Sequence, residues 1–209
     1  MRLSPARFDR WLNKIGEQFQ WRKSYSCPCI NPASGAAKHN CANCSGKGRF
    51  WVDPIQGVSG VAGNKVQREW AQFGVWQNGD LVLTIQESSP LYNMGQFDRV
   101  TMLNGTHEFD LVLTRGDNDR LFFQVSSIDR VFWYDSNGDI VEGGIPTVNP
   151  DGTLTWATGE PPAATQYSIS GWQFTEYFVW GQFPANRNMH SGARLPKRVV
   201  VRLFDLFGR

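Results

Sequence analysis

Apolar and polar positions alternate through most of the central chain. "HEFDLVLT" sets Phe109, Leu111 and Leu113 against polar neighbours, the period-two pattern of a half-buried strand. "FGVW-QNGD-LVLTI" predicts strand, turn and strand, with Asn78-Gly79 as the tight turn. "RGDND" then turns the chain into "RLFFQV", "SSIDRVFWYD" leads into the "SNGD" turn, and "IPTV-NPDG-TLTW" predicts another hairpin. "TQYSISGWQFTEYFVW" predicts one long Trp-rich strand, or a strand pair with a bulge. From Trp51 to Trp180 almost no helical pattern interrupts this series.

The two ends read differently. Phe8, Trp11, Leu12, Ile15 and Phe19 fall on one helical face, which predicts a helix from Pro5 to Gln20. Ser4 can cap it, and Pro5 suits its first turn. The helix either packs on its own domain or docks on another chain. After Gly181, "GQFPANRNMHSGARLPKR" is polar and predicts an extended arm or loop. "RVVVRLFDLFGR" then predicts a terminal strand, with Val199, Val201, Leu203 and Asp205 on one side and Val200, Arg202, Phe204 and Leu206 on the other. Such a strand is either buried on both faces or added to a neighbouring subunit's sheet.

Four segments result: an N-terminal amphipathic helix (1–23), a cysteine-rich loop (24–50), a β-rich body (51–182), and a C-terminal arm with a terminal strand (183–209). The expected fold class is mainly β, a barrel or sandwich body carrying the helix and a small zinc-binding loop. The sequence contains no tandem repeat and no low-complexity tract.

Composition narrows the classes. The 209 residues can bury a real core, and nine Trp with fourteen Phe make the chain rich in aromatics. The net charge of +2 gives no global pull toward nucleic acid or an anionic membrane. No apolar run is long enough to span a bilayer, and charges interrupt the apolar positions of "MRLSPARFDRWLNKIGEQF", unlike a signal peptide. A reducing cytosol is therefore expected, where clustered cysteines are metal ligands more often than disulfides.

All four cysteines lie in "CPCINPASGAAKHNCANCSGKG", as Cys27-Pro28-Cys29 and Cys41-Ala42-Asn43-Cys44. Four thiolates complete the shell of a structural zinc ion and leave no position for a catalytic water. C-x-x-C lets one turn present two sulfurs, while C-x-C is closer than usual. Gly46 and Gly48 free backbone N–H groups to point at the sulfurs. His39 is an alternative ligand. A loop of this composition cannot bury a core, so the metal supplies most of its folding free energy, on the order of 10 kcal/mol.

Other candidate chemistry is thin. His39, His107 and His190 sit in no metalloprotease motif. "GVSGV" around Ser59 lacks the strand-turn-helix context of a nucleophile elbow. "DSNGD" (Asp135 to Asp139) lacks the distal Glu of a calcium loop at the needed spacing, although Glu142 is nearby. Both "DSNGD" and "RGD" at Arg115 to Asp117 read as hairpin turns, and a non-enzyme is expected. Lys47 and Arg49 beside the cysteines, with Arg194, Lys197, Arg198 and Arg202 in the tail, could touch phosphates, so a zinc-ribbon nucleic-acid binder stays open.

Two resemblances add to this reading. "CANCSGKG" resembles one C-x-x-C-x-G-x-G repeat of the cysteine-rich domain of Hsp40 chaperones, over eight residues. It implies a zinc-binding turn and no chaperone, for the J-domain "HPD" motif does not occur. "GDLVLTIQESSPLYNMGQFDRVTMLNGTHEFDLVLTRGDNDRL", "GEPPAATQYSISGWQFTEYFVW" and "RLPKRVVVRLFDLFGR" resemble virion structural proteins of tailed bacteriophages, and the cysteine loop fits the same group. That resemblance implies a head-to-tail connector of the neck, a homo-oligomeric ring assembled in the host cytoplasm. It implies portal, adaptor or tail proteins as neighbours, proximity to packaged DNA, and no membrane. A tail, baseplate or head-surface position is the alternative within the virion.

Overall fold

The computed structural model describes residues 5–44, 46–74, 76–184, 189–190 and 192–204. Along the chain come α1 (Pro5–Ile15), β1 (Glu17–Arg22), β2 (Ser24–Ser26), β3 (Arg49–Trp51), β4 (Ile55–Val61), α2 (Asn64–Ala71) and β5 (Leu81–Ile85). A 3₁₀ turn at Pro90–Asn93 precedes β6 (Arg99–Thr114), β7 (Val125–Tyr134), β8 (Ile140–Glu142), β9 (Thr147–Val148) and β10 (Leu154–Thr155). The long β11 (Gln166–Gln182), β12 (Met189–His190), β13 (Ala193–Arg194) and β14 (Lys197–Leu203) complete the order. The fold is mainly β, as expected, and none of the described helices is long and apolar enough to cross a membrane. The described residues form two compact units, one from 5–103 together with 176–204, the other from Asn104–Thr175.

The first unit is a closed barrel of six strands. Its order is β6-β1-β4-β5-β14-β11, every neighbouring pair antiparallel where the register is defined. The circuit closes where Val179 N–H donates to the Asp98 carbonyl at 2.8 Å and Phe97 N–H donates to the Val179 carbonyl at 2.9 Å. Closure removes free sheet edges, which otherwise invite pairing with other chains. Alternate residues fill the interior: Phe19 and Trp21, Leu83 and Ile85, Val100, Tyr177 and Val179, Val199 and Val201. β4 contributes Gly57 and Ser59 there, and the space they leave takes Leu91 from the 3₁₀ turn; a Cβ on Gly57 would lie 2.7 Å from Leu91 Cγ.

The barrel's outside is covered twice. α2 lays Trp70 and Val66 against Val82, Val200 and Phe183. Beneath it Asp80 accepts from Trp70 Nε1 (3.0 Å), Gln77 N–H (3.0 Å) and Arg202 Nε (2.8 Å). α1 seats Leu12 on β4, where a Cβ on Gly60 would lie 2.5 Å from Leu12 Cδ1.

The second unit is a sheet in the order β6-β11-β7-β8, with β9 and β10 as a separate hairpin. Its core joins Phe109, Leu113, Leu121, Val131, Trp133, Tyr167 and Ile169. β11 shifts register against β7 twice, between Ser170 and Gly171 and between Trp172 and Gln173. The bulges relieve a strand too long and twisted to keep one register.

Several expectations need correction. α1 stops at Ile15, and at Gly16 the chain passes too close to β4 for a side chain: a Cβ would lie 2.5 Å from Val58 Cγ1. Phe19 therefore belongs to β1 and the barrel interior, while Trp11 and Ile15 face solvent. Ser4 lies outside the described residues. Phe73, Gly74 and Trp76 of "FGVW" lie in no strand, and Val75 lies outside the described residues; the chain before them forms α2, whose Val66 and Trp70 stand one helical turn apart. Residues 121–124 are not a strand either, and Arg120 makes only an isolated bridge to Thr153. β14 has both edges filled, by β5 and β11, so it is not a strand lent to a neighbour's sheet. Asp205 and Leu206 lie outside the described residues.

Candidate metal centre

The cysteine segment leaves the barrel as a hairpin and returns to it. β2 and β3 pair Ser24 with Trp51, Tyr25 with Phe50 and Ser26 with Arg49. Tyr25 and Phe50 stack at 5.8 Å. Arg49 donates to Ser24 Oγ at 3.1 Å and lies 4.0 Å over the Phe97 ring. The root is fixed by Asp98, a buried carboxylate that accepts from Trp21 Nε1 (2.7 Å), Ser24 N–H (2.7 Å) and Gly95 N–H (2.8 Å). Three N–H donors converging on one carboxyl group make a strong joint.

Between the strands the loop folds on its own backbone. Asn31 Oδ1 accepts from Ala33 N–H at 2.8 Å, and Asn31 N–H donates to the Ala36 carbonyl at 2.9 Å. Cys27 N–H donates to the Gly48 carbonyl at 2.8 Å, which closes the base of the loop. Gly46 and Gly48 adopt positive φ, +80° and +70°. A Cβ on Gly46 would stand 3.0 Å from the His39 carbonyl, so this turn needs glycine for both conformation and space.

The four sulfurs all lie within 4.8 Å of one another. Cys27 Sγ is 3.6 Å from Cys41 Sγ, and Cys29 Sγ is 3.5 Å from Cys44 Sγ. Zn–S bonds of about 2.3 Å in a tetrahedron place sulfurs about 3.8 Å apart. A disulfide needs about 2.0 Å, and all four thiols are free. The donor set thus fits one soft, tetrahedral cation. Cys27 and Cys44 are buried, Cys29 and Cys41 half-buried. Each sulfur of the C-x-C pair thus has its near neighbour in the C-x-x-C pair. His39 is not part of the cluster.

The electrostatics fit a cation site. Backbone hydrogen bonds from Asn43 and Cys44 lower the Cys41 thiol to about 6, against the opposing effect of burial. Burial pushes Cys29 up to about 12; the neighbouring Cys27, Cys44 and Cys41 thiols add to this, and a backbone bond from Lys38 opposes it. Cys27 is also raised: the Cys29 backbone pulls it down, but burial and the Cys41 and Cys44 sulfurs prevail. Without a cation, ionising one thiol hinders the next; a divalent ion removes that obstacle. The backbone donors at Cys27, Cys29 and Cys41 come from Cys29, Lys38, Asn43 and Cys44. Gly46 and Gly48 supply the positive φ that this turn needs.

The other sequence candidates are placed apart from this centre. Ser59 is buried in β4 and donates to the Thr84 carbonyl at 3.1 Å. His107 meets Thr175 Oγ1 at 3.2 Å. Asp135 Oδ1 accepts from the N–H groups of Asn137 (2.8 Å) and Asp139 (2.9 Å), closing the β7–β8 turn. Arg115 is paired with Asp119 (2.7 Å) and Glu160 (3.1 Å). The sequence reading missed Asp98 and Asp80, whose side-chain partners Trp21 and Arg202 are distant in sequence. No protein-family model matches the chain, and no curated protein matches it.

Proposed function

We propose that the chain is a non-enzymatic structural component of a tailed-phage virion, a homo-oligomeric ring of the neck joining head and tail. The observation that carries this reading is the resemblance of three long segments, Gly79–Leu121, Gly159–Trp180 and Arg194–Arg209, to virion structural proteins. A closed barrel with solvent-facing aromatic and aliphatic side chains suits a part whose work is cohesion. Cys27, Cys29, Cys41 and Cys44 hold a structural zinc ion that stiffens the hairpin. With four sulfurs bound, the ion offers no open position and supplies rigidity alone. Imaging of phage particles with a label on this chain tests the reading. Density in a ring between head and tail supports it, and label on the tail, baseplate or head surface replaces it with that position.

A second reading is nucleic-acid contact through the hairpin. Between Glu17 and Asp53 the sequence has Arg22, Lys23, Lys38, Lys47 and Arg49 and no carboxylate. Lys38 and Lys47 are exposed. This reading predicts duplex DNA binding that weakens steeply with salt.

A further inference from the structure

Charge is sorted along this chain. Residues 104–175 carry ten Asp and Glu against three Arg, a net −7, while the rest carries eighteen Lys and Arg against nine Asp and Glu, a net +9. The near-neutral total of +2 conceals two units of opposite sign. Copies of such a chain attract head to tail and repel like to like.

Each unit also exposes large apolar side chains beside charged ones. On α1, Leu12 points into the barrel wall, Arg7, Arg10 and Lys14 lie on the opposite arc, and Ile15 and Trp11 line the flank between Leu12 and that arc. Trp11 is 54% exposed and Ile15 53%. In the second unit, Phe109, Leu113, Val131 and Ile169 form the inner face of the sheet. The period-two alternation puts Glu108, Asp110 and Val112 of β6 on the opposite face. There Asp110 accepts from Ser168 Oγ at 3.2 Å, and the register sets Ser168 opposite Phe132. Tyr134 continues that face and stands opposite Ile140 of β8. Val112 is 65% exposed, Tyr134 61% and Ile140 53%. Tyr134 and Ile140 form a cross-strand pair, and Val112 lies on the same face two strands away.

We propose that α1 of one copy docks on this outer sheet face of the next copy. Trp11 and Ile15 cover Val112, Tyr134 and Ile140, and Arg7, Arg10 and Lys14 face Glu108 and Asp110. The contact is heterologous: each copy offers a helix at one unit and a sheet at the other, and repetition gives a ring or an open chain. It deepens the ring reading proposed above and rests on it for its biological setting.

The test uses the full-length chain and two blocked variants, with mass in solution measured by light scattering. One variant carries Arg7→Glu and Arg10→Glu, the other Val112→Glu and Tyr134→Glu. The unaltered chain is expected to form species larger than a dimer, with dissociation constants rising at least tenfold from low to high salt. Each variant alone is expected to be monomeric. Their equimolar mixture is expected to stop at a 1:1 dimer, because one intact helix and one intact sheet face remain. A variant that keeps the unaltered mass, a mixture that stays monomeric, or an unaltered chain that never associates overturns the proposal. If either variant loses its cooperative melting transition, the milder pair Arg10→Ala with Trp11→Ala and Val112→Ser with Tyr134→Ser replaces it, with the same outcomes read the same way. Assembly unaffected by every substitution removes this interface and leaves the neck reading to particle imaging, whereas label found elsewhere in the virion removes the neck reading and leaves the interface.

Discussion

The indole N–H of Trp21 donates to Asp98 across 2.7 Å, with both groups buried. Trp21 lines the barrel, and the same carboxylate accepts from Ser24 at the root of the cysteine hairpin. One acidic side chain thus ties the core to the cysteine hairpin. Asp98→Ala leaves three N–H donors without their acceptor. The expected loss is about 3 kcal/mol or more of unfolding free energy, measured by urea denaturation, with Asp98→Asn losing less.

Asp80 and Arg202 make the second buried joint, beneath Trp70. Burial works to raise the Asp80 carboxyl, but hydrogen bonds from Arg202, Trp70 and Gln77, with the Arg202 charge, prevail and hold it below the usual range. A folded-state value below the unfolded one, about 3.9, contributes stability that is present above pH 4. That stability is lost as pH falls through the folded value. Arg202→Met strands the carboxylate and is expected to cost about 3–5 kcal/mol at pH 7. Acid titration of the melting temperature, compared between Asp80→Asn and the unaltered chain, checks the sign: the unaltered chain should lose more on acidification.

Replacing Cys41 and Cys44 with Ser removes one sulfur from each close pair. Bound zinc, measured by elemental mass spectrometry, should fall from one per chain to none. The Tyr25–Phe50 stack should lose its near-ultraviolet signal. The far-ultraviolet β signal should persist, because the barrel core cluster includes no residue of the loop between Cys27 and Gly48.

Gly57→Val tests the plug of the barrel. Its side chain would meet Leu91, and overpacking of this kind costs about 1–3 kcal/mol. Leu91→Ala alone should cost about 2–5 kcal/mol. The double variant should be more stable than the sum of the two losses predicts, by thermal denaturation, because the added methyls enter the vacated space.

Local pattern made much of this fold readable. The alternation around Phe109, the β7–β8 turn at Asp135 and the Val148–Leu154 hairpin each depend on neighbours in sequence, and each stands as read. So does the four-cysteine cluster, since C-x-C and C-x-x-C limit how far the sulfurs can part. What escaped reading was non-local. α2 is eight residues long, with only Val66 and Trp70 to mark its inner face, and it exists because Val82 and Val200 need cover. Asn78-Gly79 suggested a hairpin, but a turn residue does not reveal whether its flanks are strands. α1 gave an apolar stripe of which Leu12 alone is buried; neither the close approach of β4 at Gly16 nor the exposure of Trp11 is written in helical spacing. Barrel closure depends on β14 pairing with both β5 and β11, and no motif announces that.

Native mass spectrometry of the unaltered chain, prepared with zinc present, tests the central claim of cohesion between copies most directly. The account predicts multi-copy assemblies larger than a dimer in which every 23.6 kDa chain carries one zinc ion. Single, metal-free chains at every concentration would contradict it.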